Sequence, residues 1–210
     1  MKYYRIHLIR HGMTEANERG LYIGKRTDLP LSAAGLRDLL DKKAEAVYPR
    51  ATRFYTSPMT RCRQSLQVLY PDAQPIAMEG LSECDFGEWD GKSVEQLKQD
   101  ERFSQWIAGA GAEIPDGEDT AEFQARVMAA FESLVEDAMK NGDEDTVVCT
   151  HGGVIMLIMA AYALPRADMS AWGAENGCGF TLRVTPSLWM REPVAEAVDY
   201  VPIIPNKDVQ

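Results

Sequence analysis

The chain has three histidines, and two of them, His11 and His151, stand directly before glycine where a short β-forming run ends. In a parallel sheet such strand ends converge on one edge, the edge where open α/β sheets bind ligands. The two imidazoles are thus expected to be neighbours, although each could also be an ordinary turn histidine. Arg10 adjoins His11, and Arg61 follows another strand end in Arg53 to Thr56. Two guanidiniums offer forked donors to one tetrahedral oxyanion, and their charge roughly matches the ~-1.5 to -2 of a phosphate monoester. A phosphoryl group fits this pair better than a carboxylate. Either arginine alone could be a surface ion-pair partner, and Arg63, two residues further along a helix, points away toward solvent.

Cleaving a phosphate ester also needs a proton for the departing alkoxide. The stretch from Leu81 to Gly91 carries several carboxylates among turn-forming glycines. Glu83 is the choice over Asp85 and Glu88 because Leu81, Cys84 and Phe86 are apolar neighbours able to raise its pKa. His7 lies inside the first strand and reads as a hydrogen-bonded strand residue.

Strand-like and helix-like segments alternate around these residues. A strand over Tyr3 to Ile9 is followed by a helix capped by Ser32, with Leu36, Leu39, Leu40, Ala44 and Val47 as its apolar stripe. After the strand Arg53 to Thr56, Ser57-Pro58 reads as an N-cap with proline at the first helical position, opening a helix to about Leu69. Ser93 to Gln96 and Asp119 to Glu122 have capping-box spacing. The second predicts a helix to about Asn141, with Phe123, Val127, Phe131, Leu134 and Ala138 on one face. Thr146 to Cys149 reads as a strand before an apolar helix from Val154, and Gly179 to Thr185 and Val194 to Val201 as further strands. This order predicts one α/β domain over residues 1–210, a three-layer α/β/α sandwich on a mostly parallel sheet, with a loosely held tail from about residue 202.

The formal net charge of -10 argues against non-specific binding to nucleic acid or anionic membrane. Cys62, Cys84, Cys149 and Cys178 are widely spaced without a CxxC pair, which suits buried thiols in a reducing compartment. The longest apolar run, Val154 to Leu164, is too short to cross a bilayer, and no export signal opens the chain. A cytoplasmic protein is expected.

Over nearly its whole length the sequence resembles the histidine phosphatase superfamily, in its phosphoglycerate mutase-like branch. The resemblance rests on Leu8-Ile9-Arg10-His11-Gly12 with Thr14 and Asn17, and on Gly24, Asp28, Pro30-Leu31 and Gly35. It continues with Ser57-Pro58-Met59-Thr60-Arg61, Glu83 with Phe86 to Gly91, Pro115 to Asp119 with Arg126, and Thr150-His151-Gly152-Gly153, all in order.

The resemblance implies a phosphoglycerate mutase-like fold, with His11 attacking phosphorus to become a phosphohistidine. Glu83 would be proton donor and acceptor, Arg10, Asn17, Arg61 and His151 would hold phosphoryl oxygens, and Gly24 would lie in the substrate loop. Neither cofactor nor metal is implied, and the partner is a small-molecule phosphate ester. Met13 and Ala16 depart from the glutamate and tryptophan frequent in the family. The segment from Glu83 to His151 is shorter than the cap-building segment of mutases, which favours hydrolysis, with an α-ribazole phosphatase-like or broad specificity. The alternatives are a 2,3-bisphosphoglycerate-dependent mutase, an inactive phospho-ligand-binding regulator, and a metal site built from His11, His151 and a carboxylate.

Overall fold

The computed structural model describes residues 2–204. Its strands are β1 (Tyr4–Arg10), β2 (Arg53–Thr56), β3 (Ile76–Ala77), β4 (Asp145–Thr150), β5 (Ala163–Leu164), β6 (Gly179–Val184) and β7 (Ala195–Val201). They form one sheet in the order β3-β2-β4-β1-β6-β7-β5. Four of its six pairings are parallel, and β1–β6 and β6–β7 are antiparallel. The sheet is therefore mostly parallel, as the alternation of segments predicts.

Four longer helices cover it: α1 (Ala33–Glu45), α2 (Thr60–Leu69), α3 (Thr120–Asn141) and α4 (Gly152–Tyr162). Successive strand residues face opposite sides, and the central strands are apolar on both. Leu8 and Val148 pack with Phe131 and Leu134 of α3 and Ile155 and Ile158 of α4. Ile9, Val147 and Cys149 pack with Leu39 of α1 and Cys62 and Leu66 of α2. These two clusters are the interlayer cores of an α/β/α sandwich.

Several local expectations change. Ser32 caps α1, its hydroxyl accepting the Gly35 N–H at 2.9 Å. Leu36, Leu40 and Val47 are exposed, however, because α1 meets the sheet along the narrow line of Gly35 and Leu39. Helix α2 starts at Thr60, three residues after the expected cap. Asp28 caps it instead, accepting the Thr60 N–H at 2.8 Å and the Thr60 hydroxyl at 2.7 Å. Asp119 caps α3 by accepting the N–H groups of Ala121 and Glu122, and Gly142, at φ 77°, ends it. The apolar face named for α3 is buried throughout. Helix α4 begins at Gly152, two residues before Val154.

At the C-terminus, Pro202 is buried and Ile203 exchanges 2.9 Å backbone hydrogen bonds with Val47, so the chain is fastened past residue 202. The rest of the expected tail, 205–210, lies outside the described residues. Among the described residues no helix is long and apolar enough to cross a membrane.

Candidate active site

Strand register assembles the site. Strands β1 and β4 pair in parallel with Arg10 opposite Thr150, so His11 and His151 are the next two positions. The His11 N–H donates to the Thr150 carbonyl at 2.9 Å, and the two imidazole centroids are 5.2 Å apart at 64°. Strand β2 lies on the other side of β4, with Thr56 opposite Cys149, which brings Ser57 alongside. Nε2 of His151 and the Ser57 hydroxyl share a 2.8 Å hydrogen bond. The same hydroxyl also accepts the Met59 N–H at 3.4 Å, one residue ahead of α2.

His11 is buried, with Nδ1 2.7 Å from the Gly12 carbonyl. A carbonyl only accepts, so Nδ1 carries the proton and Nε2 keeps its lone pair. Burial, then the Arg61 and Arg10 charges, lower its pKa to about 3. His151 is held neutral for similar reasons: burial, then His11 and the arginines, set its pKa well below the usual histidine value. Two further residues fix the His11 turn. Ser65 accepts the Gly12 N–H at 2.8 Å and donates to the Arg61 carbonyl at 2.6 Å, while Asn176 donates to the His11 carbonyl at 2.9 Å.

Arg61 is only 2% exposed, and its guanidinium donates to the carbonyls of Thr27 at 3.1 Å and Gly24 at 3.3 Å. The Gly24 N–H is in turn held by Asp90 at 2.6 Å. Arg10 donates from Nη1 to the Ala174 carbonyl at 2.8 Å, while its buried Nε has no partner. Two guanidiniums bordered by two neutral imidazoles make a local anion site in a protein of net charge -10. Arg63 is exposed and turned away, as helix geometry predicts.

Of the three candidate acids, Glu83 alone is buried; Asp85 pairs with Arg26, and the Glu88 side chain is 56% exposed. Oε1 of Glu83 accepts the Cys84 N–H and Oε2 the Gly153 N–H, both at 3.0 Å. Burial outweighs these two bonds and the nearby arginines and raises its pKa. Arg126 shapes the turn that presents it: bound to both Glu118 oxygens at 2.6 and 2.8 Å, it donates to the carbonyls of Gly80, Ser82 and Glu83.

Asn17 lies in the short helix Glu15–Glu18 that follows the His11 turn, where its Oδ1 accepts the Thr14 N–H at 3.0 Å in a capping box. Its amide N–H groups make no bond among the described residues. His7 stands apart, between Thr181 at 2.9 Å and Asp145 at 3.0 Å, as a hydrogen-bonded strand residue. Among the described residues no group of three or more His, Cys, Asp or Glu is placed to hold a metal ion.

Ser65 and Asn176 are the site residues that sequence reasoning passes over, while Ser57, Gly153 and Arg126 were legible as motif positions but not in these bonding roles. Their bonds run to atoms distant in sequence, and Ser57, directly after a strand end, carries the one local signal.

This arrangement offers a buried neutral nitrogen nucleophile, two fixed cations and a carboxyl disposed to hold a proton. A 27% identical relative over 180 residues, 83% of this chain and 87% of its own, is the adenosylcobalamin/alpha-ribazole phosphatase of Salmonella typhimurium. A 2,3-bisphosphoglycerate-dependent phosphoglycerate mutase of Parvibaculum lavamentivorans is 24% identical over 182 residues, 81% of this chain and 85% of its own. The crystal structure of the alpha-ribazole phosphatase from Shigella flexneri superposes with a TM-score of 0.75 at 23% identity, covering 92% of this chain and 94% of that one, a likeness of fold. The sequence model of the histidine phosphatase superfamily (branch 1) matches residues 6–192, a span that includes Arg10, His11, Asn17, Arg61, Glu83 and His151. The chain belongs to the histidine phosphatase superfamily, branch 1.

Proposed function

We propose that the protein hydrolyses small-molecule phosphate monoesters through a phosphohistidine on His11. The observation that carries this reading is the buried His11, its Nε2 lone pair free, beside two guanidiniums and a carboxyl of raised pKa. In the first step Nε2 attacks phosphorus, the phosphorus–oxygen ester bond breaks, and Glu83 gives its proton to the departing alkoxide. In the second, the Glu83 carboxylate takes a proton from water as the water oxygen attacks phosphorus. The phosphorus–nitrogen bond then breaks, phosphate leaves and Glu83 is protonated again.

Arg10, Arg61, Asn17 and His151 hold the phosphoryl oxygens, and Gly24 lies in the loop tied to Arg61. General acid help supplies only ~10²–10⁴ in rate, so the fixed positive charge carries the larger share of the barrier. The guanidiniums occupy the role a divalent cation would have, so this reading calls for no metal.

Similarity to adenosylcobalamin/alpha-ribazole phosphatases supports hydrolysis and makes an α-ribazole-type ester one substrate to test. The mutase relatives define the second reading, in which the phosphoryl group returns to substrate. Incubation with p-nitrophenyl phosphate and with 3-phosphoglycerate separates the two. Free phosphate is the expected product from both, and accumulation of 2-phosphoglycerate from the second would overturn hydrolysis.

Gly153 gives a finer test of Glu83. A Cβ at this position would stand 2.6 Å from Glu83 Oε1. Gly153→Ala should therefore displace the carboxyl and lower kcat about 10²-fold, since small misplacements of reacting groups have effects of that order. Steady-state kinetics beside a thermal melt would check this, and an unchanged kcat in a folded variant would remove Glu83 from the mechanism.

A further inference from the structure

Asp90 follows the short helical turn Gly87–Trp89, on the same segment that carries Glu83. That turn is held from two sides. The fully buried Trp89 ring packs on Phe103 and Trp106, and beyond it the Gly91 N–H donates to the Tyr22 carbonyl at 2.7 Å while the Tyr22 N–H donates to the Lys92 carbonyl at 2.9 Å. The carboxylate so presented spans the loop from Gly24 to Thr27: Oδ1 accepts the Gly24 N–H at 2.6 Å and Oδ2 accepts the Thr27 hydroxyl. The carbonyls of these same two residues receive the Arg61 guanidinium, Thr27 at 3.1 Å and Gly24 at 3.3 Å. One carboxylate thus fixes both acceptors of one buried guanidinium. A carboxylate suits the task because both groups that face it are donors and it only accepts. The two carbonyl bonds use one N–H on each terminal nitrogen of Arg61 and leave the rest of the fork for a phosphoryl group. Asp28 closes the far end of the loop by capping Thr60, the residue before Arg61.

We infer that Asp90 is a positioning residue for phosphoryl transfer, acting through the Gly24–Thr27 loop to aim the Arg61 guanidinium at the phosphoryl oxygens. The stretch of chain that supplies the acid then also aligns the cation. The assignment rests on the phosphatase reading and deepens it.

The test measures kcat/KM for phosphate release from p-nitrophenyl phosphate, and binding of inorganic phosphate by calorimetry, in the wild type, Asp90→Ala, Asp90→Asn, Arg61→Ala and the Asp90→Ala/Arg61→Ala double variant, with thermal melts beside them. Asp90→Ala should lower kcat/KM by about 10²-fold, the order expected when a reacting group is displaced by about 1 Å, and should weaken phosphate binding. Asp90→Asn should restore most of both, because the amide oxygen still accepts the Gly24 N–H and the amide NH₂ donates to the Thr27 hydroxyl. In the Arg61→Ala background the Asp90 substitution should cost almost nothing further, since residues that act as a unit are not additive. A loss that came only from a loosened fold would multiply in the double variant, and that result, or an unchanged kcat/KM in folded Asp90→Ala, would overturn the assignment. Should Asp90→Ala fail to fold, Thr27→Val carries the same cycle: it removes the hydroxyl bond alone and should lower activity only where Arg61 is present. Absence of phosphate release by the folded wild type would overturn the phosphatase reading, whereas phosphate binding lost in Asp90→Ala and kept in Asp90→Asn would still uphold the role of Asp90.

Discussion

His11→Ala should abolish phosphate release from p-nitrophenyl phosphate, with a loss of at least about 10³-fold in kcat. Removing a covalent nucleophile leaves the binding and electrostatic parts of a site in place, and such remnants fall orders of magnitude short of the intact catalyst. Here the remnant is the guanidinium pair, still able to bind an ester but with no nitrogen to receive the phosphoryl group. Mixing the wild type with labelled substrate and quenching in alkali should trap phosphate on protein, and the variant should trap none. Full turnover by His11→Ala would end the phosphohistidine mechanism. Because the imidazole is buried, the variant's melting temperature must be read alongside, so that unfolding is not mistaken for lost chemistry.

Glu83→Gln should slow turnover by about 10²–10⁴-fold, the usual contribution of a positioned acid. The loss should be larger for alkyl phosphates than for p-nitrophenyl phosphate, because nitrophenolate departs readily without a proton. Geometry adds to the chemical effect. Both carboxyl oxygens accept backbone N–H groups, so a glutamine would set its own NH₂ against one of these donors.

The pH profile carries the sign. An acid works while protonated, so wild-type activity should fall as pH rises through the raised Glu83 value, and this limb should vanish in Glu83→Gln. His11 contributes no such limb above about pH 3, since its neutral form prevails there. An alkaline limb that persists in Glu83→Gln would assign it to another group.

How much of this was legible in the sequence follows from the range of the interactions. The five longer strands, each within a residue of its expected bounds, the α3 stripe and its Asp119 cap are local patterns. His11 and His151 could be brought together in advance because parallel strands share a carboxyl edge. Helix α2 starts later than the Ser57-Pro58 pattern predicts because Asp28, more than thirty residues away, caps Thr60 while Ser57 bonds both His151 and the Met59 N–H, and no local rule reports so distant a cap. Likewise, Leu36 and Leu40 fit an apolar stripe, yet the sheet meets only the Gly35–Leu39 line of α1. The choice of Glu83 over Asp85 and Glu88 rested on neighbouring residue types, whereas burial and the Arg26 pair distinguish them in the fold. Arg126 acts through three backbone carbonyls, which have no sequence signature.

The pairing of Arg10 with Thr150 also bears on how the protein acquires activity during its synthesis. His11 is made early, but the strand that carries its neighbour is made more than a hundred residues later, and β6, on the other flank of β1, later still. Contacts so distant in sequence form slowly, after most of the chain has collapsed. Shortened chains ending before β4 should therefore contain the nucleophile and both arginines yet have no enzyme to show for it, and the appearance of activity should report completion of the central sheet.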